Sequence, residues 1–591
     1  MNKETRIKGG EFLLKQTSPD NIFSSEDYTD EQKMFRTSMR DFLNKEIEPI
    51  KEKFDTKEGT KISPLLLEKM GDYGFHGIGV PEEYNGLNCD LKTEMAYGEI
   101  ASDSFAFSQA IGVHTGLGIY PILFYGNKNQ KDKYLKDIVS AKLKCSYCLT
   151  EPGSGSDANA AKTKAIYSDD KKYFILNGQK MWITNSGFAD VFLVFCKIED
   201  DKNLSCLIVH KEYGVKLGEE ERKLGINGSS TRQVFFENIK VPVENLLGER
   251  NKGFKIAMNA LNAGRLKIAV ANSGIGKRAF MLGVNYSNER EQFDKKISEF
   301  GAIKEKIAKM GINLYALEST WNRIANDIDN ANEDFKSTGM DALESKIKAV
   351  AEFSMECAMS KVYGSETETF IVDESLQIHG GMGFSAESEI SVHYRNVRGN
   401  RIYEGTNEIN RILIPTMLLR KAMKGELPFM QAAMSCFEEL KSGKLYENTE
   451  SKSIADLSLN FIGKCKKACL LTIGLAVQTF QEGLKDEQEV LMNLSDMLIQ
   501  VYVTESAILR CIKHSGDENN IKYKLVNVLI YDTVDILKKS VKEVAFASCK
   551  ENEALKNISG INKLFYLPAK NLKNIRREIA NHFIAENKYK I

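Results

Sequence analysis

Residues 401–412 read RIYEGTNEINRI, and this stretch joins a helix-start signal to a candidate catalytic side chain. Thr406 is a favourable N-cap residue and predicts a helix that runs to about Ile414, just before Pro415. Glu404 then lies just outside the helix, in a loop of small and apolar neighbours. A carboxylate in such a place can lose its hydration, which raises its pKa towards the range that a general base needs. A glutamate in front of a helix is more often exposed to solvent, so this stretch alone does not decide between the two interpretations.

A glycine-rich segment, HGGMGF, precedes this stretch at residues 379–384. It follows a predicted helix that ends near Gln377. The paired glycines Gly380 and Gly381 let a backbone approach a pyrophosphate closely. Two glycines after a helix are also an ordinary helix stop, and both interpretations stay open.

Two further segments lie far upstream, LTEPGSGSD at 149–157 and KMWITN at 180–185. The first runs from a predicted strand into a loop of glycine and hydroxyl residues, whose backbone N–H groups can face an anionic or carbonyl-rich ligand. In the second, Trp182 beside Thr184 can stack on a flat heterocycle and hydrogen-bond to it. Taken alone, the first segment is also an ordinary turn, and a strand tryptophan is usually part of a core.

Both segments fall in a part of the chain rich in β-forming residues, from 145 to about 249. Asn177-Gly178 is a strong hairpin signal, since both turn positions need positive φ. We therefore predict a compact antiparallel sheet or barrel domain. Its strands are expected at 173–176, 181–184, 191–196, 206–209 and 234–236.

Helical periodicity surrounds this β region. Residues 31–143 indicate helices joined by short loops, and long helices are predicted at 254–277, 300–327 and 340–362, as in a helical bundle. A further helical segment follows Pro415, with its clearest pattern at 489–510. The predicted fold is mainly α with a central β domain. Its predicted parts are an N-terminal helical domain at 1–144, a central β-barrel domain at 145–250, a helical bundle at 251–420 and a C-terminal helical extension at 421–591.

The composition excludes several classes of protein. The 591 residues are 42% hydrophobic and 27% charged, with 81 Lys+Arg against 81 Asp+Glu, so no basic excess supports nucleic-acid binding. The most apolar stretch, 468–480, is too short for a bilayer, which needs about 20 apolar residues. The polar N-terminus lacks the apolar core of a secretory signal.

The eleven cysteines predict reduced thiols rather than a disulfide framework. Cys145 and Cys148 are interpreted as two strand residues, and Cys465 and Cys469 as one face of a helix. No metal site is predicted.

Four motifs together resemble the acyl-CoA dehydrogenase family: TEPGSGSD, GQKMWITN, QIHGGMG and IYEGTNEI, in this order. The resemblance runs from about 31 to 419, and the remaining segment is similar to the extension of the very-long-chain branch. It implies a helical domain, a β-barrel domain and a four-helix bundle, followed by an extra C-terminal helical domain.

The resemblance also implies an FAD between the β domain and the second helical domain. Thr150 and Thr184 would hydrogen-bond to the flavin ring. A cofactor shared between two subunits would make the protein at least a homodimer, with Arg290, Gln292 and Phe293 reaching the neighbour's FAD. The other implied FAD-binding residues are Tyr147, Cys148, Leu149, Ser156, Trp182, Ile183, Gln377, Gly380, Gly381, Thr406, Asn407 and Glu408.

For the substrate, Ser156, Asn262, Arg265 and Gly405 match family positions near the acyl-CoA. The guanidinium of Arg265 suits a phosphate, with a surface ion pair as the alternative. Glu404 would remove the α-proton while the β-hydrogen leaves as hydride to flavin N5. Its backbone N–H and a flavin ribityl hydroxyl would polarise the thioester carbonyl.

Some family members carry the base on the helix that here reads LNAGR at 261–265. The corresponding position in this chain, Gly264, has no carboxylate. The absence of a competing carboxylate favours Glu404 as the base.

The implied reaction converts a long-chain acyl-CoA to trans-2-enoyl-CoA in fatty acid β-oxidation, with an electron-transfer flavoprotein as acceptor. An acyl-CoA oxidase and a scaffold protein without activity are the alternatives. Residues 421–451 lack the glycine-rich apolar run that the very-long-chain branch uses at membranes, so membrane association is not favoured. Within them, 429–440 is either an interfacial helix or an ordinary packed one. A bacterial cytoplasmic enzyme is expected.

Overall fold

The computed structural model describes residues 6–446, 453–515, 517 and 519–591. Its elements follow the predicted order of helical, β, helical and helical parts. The first helix of the N-terminal part begins at a capping box between Thr29 and Gln32. A π-helical segment, Val113–Ile119, joins the fourth and fifth helices of this part. Its helices are α1 Asp30–Phe42, α2 Glu58–Asp72, α3 Leu91–Ala101, α4 Phe107–Gly112, α5 Tyr120–Tyr125 and α6 Lys128–Val139.

The β part is one mixed sheet rather than an antiparallel one. Hydrogen bonding follows the order β6-β7-β3-β2-β4-β5-β8, and β1 also pairs with β4. The β1–β4 and β2–β4 pairs are parallel. The strands are β1 Cys145–Cys148, β2 Lys164–Tyr167, β3 Tyr173–Thr184, β4 Val191–Ile198, β5 Ser205–His210, β6 Lys216–Leu217, β7 Thr231–Pro242 and β8 Leu246–Leu247.

The hairpin predicted at Asn177-Gly178 is wrong, because β3 continues straight through both residues. Gly178 has φ 150° and lies at a register shift against β7. A Cβ there would lie 2.5 Å from Thr163 Oγ1. The Asn177 side chain donates to Asn238 Oδ1 on β7 at 3.1 Å. The glycine therefore permits a bulge and a close approach of β2 rather than a turn.

Four long helices form the bundle. One segment that was predicted as a single helix forms two separate helices. The segment predicted at 340–362 breaks at Phe353, which leaves helical geometry at φ −99° and ψ 23°. The long helices are α7 Gly253–Glu289, α8 Gly301–Ser337, α10 Ser354–His379 and α13 Asn407–Met423. Shorter elements between them are β9 Glu291–Gln292, β10 Lys295–Lys296, α9 Ala342–Glu352, α11 Gly381–Phe384 and α12 Glu389–Val397.

The predicted end of α13 at Ile414 is also wrong, since the helix continues through Pro415 to Met423. Proline cannot donate to the carbonyl four residues earlier, here that of Arg411. Ser495 Oγ from the C-terminal extension donates to that carbonyl instead. A tertiary hydrogen bond thus replaces the one that proline removes.

The C-terminal extension packs on the bundle and shares one apolar core with it. In α14, Phe429, Ala433 and Cys436 are buried against α15 while Met430 and Met434 remain exposed, as in an ordinary packed helix. Residues 447–451 of the segment compared with the membrane-binding run lie outside the described residues. The helices are α14 Phe429–Ser442, α15 Ile454–Phe480, α16 Gln488–His514, α17 Ile521–Ser548, α18 Glu551–Asn562 and α19 Leu572–Glu586.

The predicted boundaries at 144 and 250 fall next to the starts of β1 and α7, whereas that at 420 falls inside α13. The segment before α1 packs on the bundle: Gly10 N donates to Glu356 Oε1 on α10 at 2.7 Å. Cys145, Cys148, Cys465 and Cys469 are buried thiols. Across the described ranges, we find no helix that combines the length and apolar character needed to cross a membrane.

Candidate active site

A cavity of about 960 Å³ lies where the N-terminal helices, the sheet and the bundle meet. One wall is formed by β1, β3 and the loop after β1, the opposite one by α7 and the loop before α13, and a third by α3 to α5. The sequence motifs at 149–157, 180–185 and 401–412 therefore converge on one space. The predicted site residues on its wall are Tyr147, Leu149, Thr150, Ser156, Trp182, Ile183, Thr184, Arg265, Glu404, Gly405 and Thr406.

The loop that carries Glu404 is held in an unusual backbone conformation. Glu404 and Gly405 have φ 55° and 84°. The carbonyl of Gly405 accepts hydrogen bonds from Lys361 Nζ at 2.9 Å and from Asn410 Nδ2 at 2.8 Å. Thr406 caps α13 as predicted, accepting from Ile409 N at 3.3 Å. These bonds fix the direction in which the Glu404 side chain leaves the backbone.

The Glu404 carboxylate lies against Gly264 of α7. A Cβ at position 264 would be 2.3 Å from Glu404 Oε2, so a side chain there would displace the carboxylate. Oε2 is buried and has no hydrogen-bond partner in the part of the chain that the structure describes. The gap at Gly264 therefore holds a carboxylate oxygen that is free to take a proton.

Burial raises the pKa of Glu404 to about 7, against the opposing effect of the nearby charges of Arg265, Lys361 and Lys267. Burial likewise lowers the pKa of Lys361 to about 8, although Glu404 acts in the other direction. A carboxyl group that titrates near neutral pH is well matched to general base catalysis.

Arg265 supports this loop from α7. Its Nε donates to the carbonyl of Glu404 at 3.4 Å, and its Nη1 donates to Asn262 Oδ1 at 2.9 Å. With Arg265 only 4% exposed, the alternative of a surface ion pair is wrong. Asn262 is buried and does not line the cavity. Its contribution is the hydrogen bond that it accepts from Arg265.

Trp182 presents its ring to the cavity instead of to the sheet core. It has φ 59° and lies at the register shift between Lys180 and Ile183, where β3 bulges away from β7. Its side chain is 50% exposed, whereas Trp321 is fully buried in the bundle. The core interpretation of Trp182 is therefore wrong.

The loop after β1 is held to the sheet on one side and is accessible on the other. Glu151 forms a buried ion pair with Lys180 at 2.7 Å and accepts from Thr163 N at 3.0 Å. Apart from the adjacent residues, no atom of the described part of the chain lies within 4 Å of the position that a Cβ would take on Gly153 or Gly155. The outer face of this loop is thus accessible to a ligand.

A second group of predicted residues lies outside the cavity, at the ends of α7 and α10. Phe293 is 86% exposed in the turn between β9 and β10. Tyr286 stacks on His379 with ring centres 4.3 Å apart, which joins the two helix ends. The residues of this group are Arg290, Gln292, Phe293, Gln377, Gly380 and Gly381.

Three other predicted cofactor residues also lie away from the cavity wall. Cys148 faces the sheet core, Asn407 is buried between α10 and α13, and Glu408 is exposed. The motifs gave no indication of Lys361, which the structure places under the Glu404 loop. Its only sequence signal is a lysine within the largely apolar run CAMSKVYG at 357–364.

Family models match the chain in four consecutive parts. They describe the N-terminal domain of acyl-CoA dehydrogenase at 29–142, its middle domain at 146–239, and C-terminal domains at 251–419 and 464–563. A probable acyl-CoA dehydrogenase of Bacillus subtilis is 39% identical over 99% of this chain and 98% of its own length. The chain belongs to the acyl-CoA dehydrogenase family.

A mitochondrial relative and a solved structure are also similar to this acyl-CoA dehydrogenase. The mitochondrial very long-chain specific acyl-CoA dehydrogenase of Macaca fascicularis is 32% identical over 78% of this chain and 73% of its own. The crystal structure of an acyl-CoA dehydrogenase complexed with FAD from Bacillus anthracis matches with a TM-score of 0.95 and 39% identity, covering 99% and 100% of the two chains. The resemblance seen in the motifs and the predicted fold class are confirmed, and the chain is an FAD-dependent oxidoreductase of this family.

The cavity wall fits the FAD that the acyl-CoA dehydrogenase family implies. Trp182 offers an exposed flat face, and Thr150 and Thr184 place hydroxyl groups on the same wall. The Tyr147 hydroxyl is buried without a hydrogen-bond partner among the residues described, and a polar ligand atom can satisfy it. These residues would hold a flat ring with polar edges next to Glu404.

Proposed function

We propose that this acyl-CoA dehydrogenase introduces an α,β double bond into a long-chain acyl-CoA, giving trans-2-enoyl-CoA within fatty acid β-oxidation. The observation that carries the proposal is the Glu404 carboxylate on the cavity wall, whose buried Oε2 has no hydrogen-bond partner among the described residues. Glu404 is the base that removes the α-proton. Its pKa of about 7 allows it to be ionised at neutral pH and to hold the proton afterwards.

The backbone around Glu404 would assist this step. No acceptor for the Glu404 N–H is found in the described ranges, so this group can donate to the thioester carbonyl as negative charge develops on it. Arg265 and Lys361 hold the carbonyls of Glu404 and Gly405, which keeps that N–H and the carboxylate in one geometry. When bound, FAD supplies the two-electron acceptor for the β-hydrogen.

We also propose a homodimer in which FAD is shared between subunits. Its support is the exposed group at the ends of α7 and α10, which lies outside the cavity of its own chain. Gly380, with φ 57°, leaves the backbone there open to close approach.

Long-chain substrates are supported by the similarity to a very long-chain specific relative over 78% of this chain. Ser156 on the open loop and Arg265 beside Glu404 would contact the acyl-CoA. An electron-transfer flavoprotein as acceptor and a bacterial cytoplasmic location rest on the family resemblance alone.

The test is an anaerobic titration of the purified protein with palmitoyl-CoA, followed through the flavin absorbance band. We expect bleaching without oxygen, and only slow recovery of the colour in air. Rapid recovery with formation of peroxide would instead indicate an acyl-CoA oxidase. Bound flavin that no acyl-CoA of any length bleaches would contradict the proposal and favour a scaffold protein.

A further inference from the structure

Helices α3, α5 and α7 place an ion pair on the cavity wall to which the proposed dehydrogenation gives no contact with the substrate. Lys267 Nζ lies 2.7 Å from Glu94 Oε1, and the two side chains are 18% and 14% exposed. Tyr120 donates its hydroxyl proton to Glu94 Oε2, and Lys267 Nζ lies 4.2 Å from the centre of the Tyr120 ring. All three residues line the cavity, and we name them the Lys267 cluster.

The Lys267 cluster lies about one helical turn from the point where α7 contacts Glu404. Lys267 follows Gly264 by three residues on α7, so the two share a helix face about 4.5 Å apart along the axis. Gly264 contacts the Glu404 carboxylate, which would act on the α-carbon of the substrate. The flavin-facing residues Trp182 and Thr184 lie on a different wall, formed by β3. An acyl chain that leaves the α-carbon towards α3 would therefore pass the cluster.

The cluster has unused hydrogen-bonding capacity. An ammonium group has three donors, and Glu94 is the one polar partner of Lys267 Nζ that the described residues provide. A plain alkyl chain against this group would remove water from the remaining N–H bonds without replacing it, which is unfavourable. A buried ion pair is also a poor stabiliser compared with apolar side chains of similar size. A ligand atom that accepts a hydrogen bond accounts for the cluster better than packing does.

Two glycines on the cavity wall keep the Lys267–Glu94 ion pair accessible from the cavity. A Cβ on Gly79 would lie 2.9 Å from Glu94 Oε2, and one on Gly116 would lie 3.5 Å from Lys267 Nζ. Larger side chains at these positions would cover the polar atoms.

We propose that Lys267 donates a hydrogen bond to a neutral oxygen substituent, a hydroxyl or keto group, on the acyl chain. Oxygenated acyl-CoA esters are then the preferred substrate class, a statement that rests on the proposed dehydrogenation at Glu404. A carboxylate on the chain is disfavoured, since Glu94 already neutralises Lys267 and would repel a second negative charge.

The test compares acyl-CoA esters of one chain length: the plain ester, esters with a single hydroxyl moved stepwise along the chain, and their keto counterparts. We expect one substituent position at which kcat/KM exceeds that of the plain ester by roughly tenfold or more, the effect of one hydrogen bond to a charged donor. Binding of the matched enoyl-CoA products, followed by the shift of the flavin spectrum, should show the same preference.

Lys267→Met should abolish the preference, so that oxygenated and plain esters give the same kcat/KM. Because Lys267 also lowers the pKa of Glu404, both esters are compared at a pH well above that pKa. The double variant Glu94→Gln with Lys267→Met avoids an unpaired buried carboxylate and should behave in the same way. Lys255→Met changes an exposed lysine on the same helix and should leave the preference intact.

A preference of the wild type for the plain ester at every substituent position would overturn the proposal. So would an equal loss of activity towards plain and oxygenated esters in both Lys267 variants, because that indicates a structural role. Failure of the underlying dehydrogenation looks different: neither plain nor oxygenated esters would then bleach the flavin.

Discussion

The backbone at Glu404 occupies a region that residues with a Cβ rarely adopt. A left-handed conformation costs a non-glycine residue roughly 1–2 kcal/mol. Here φ is 55°, and Gly405 follows at 84°. The hydrogen bonds from Lys361 and Asn410 to the Gly405 carbonyl offset this cost and leave the carboxylate facing the cavity. Such strain is typical of functional positions.

Gly264→Ala tests the gap that receives the carboxylate. The new methyl group would overlap Glu404 Oε2, which can swing away without unfolding the helix. We expect the rate of flavin reduction to fall by about 100-fold with FAD still bound, since small misplacements of a catalytic group have effects of this size. Rapid-mixing measurements of flavin reduction check it. Gly463→Ala, where a methyl group meets no atom of the described residues within 4 Å, should have no effect on this rate. Full activity of Gly264→Ala would contradict the geometry.

The pH dependence of flavin reduction should follow Glu404. Only the carboxylate can accept the α-proton, and burial raises its pKa to about 7. The value of kcat/KM should therefore rise with pH, with unit slope below about 7 and a plateau above it. An anaerobic pH–rate profile measures this. A profile that is flat across neutral pH would show that another group, or the same group with an ordinary pKa, removes the proton.

At the scale of elements, α13 depends on a partner from the C-terminal extension. Pro415 leaves the Arg411 carbonyl without its helical donor, and Ser495 of α16 replaces it. Arg411 also pairs with Glu366 of α10 and Asp496 of α16 at 2.6 Å and 2.8 Å. The helix that follows the catalytic loop is thus tied both to the bundle and to the extension.

Ser495→Ala should lower the free energy of unfolding by about 1–3 kcal/mol, because it leaves the partly buried Arg411 carbonyl without this donor. Thermal or denaturant unfolding of the flavin-bound protein measures this. Thr416→Ala is the matched control: its exposed hydroxyl donates to the Ile412 carbonyl within α13, and we expect little change. Equal effects of the two changes would mean that Ser495 does not compensate for Pro415.

The features that depend on residues close together in the sequence could be predicted from the sequence. Thr406 as a helix cap, Glu404 just before it and the alternation of helical and β parts follow from local chemistry. The hairpin predicted at Asn177-Gly178 is wrong, because a glycine that permits a turn also permits a bulge where the segment leading into β2 packs against it. Lys361 and Lys267 were missed, since their partners Gly405 and Glu94 are distant in sequence and become neighbours only in the fold.

At the scale of the whole molecule, alternating charges connect the N-terminal helices, the bundle and the extension. Glu99 pairs with Lys277 at 2.7 Å, and Arg510 pairs with Glu318 at 2.6 Å. Burial favours a higher pKa of Glu318, but Arg510 and Lys277 outweigh it and hold the pKa well below its ordinary value. In order, the chain of charges is Arg36, Glu99, Lys277, Glu318, Arg510, Glu26 and Lys522.

Arg510→Met should destabilise the protein by about 3–5 kcal/mol, because it leaves Glu318 and Glu26 with less compensation in a buried setting. We expect the bundle and the extension to unfold together at a lower temperature, as followed by calorimetry. Lys441→Met breaks the exposed pair with Glu438 and should change stability little. Retention of wild-type stability by Arg510→Met would show that the packed apolar core alone joins the two parts.

The central claim is that Glu404 is the base of an acyl-CoA dehydrogenase, and its most direct test is anaerobic mixing of wild type and Glu404→Gln with palmitoyl-CoA. The wild type should bleach the flavin, and so should Glu387→Gln, which alters an exposed carboxylate. The Glu404→Gln protein should bind FAD and acyl-CoA but reduce the flavin roughly 10²–10⁴-fold more slowly, the contribution of a general base. Reduction by Glu404→Gln at a rate near that of the wild type would contradict the assignment of the base.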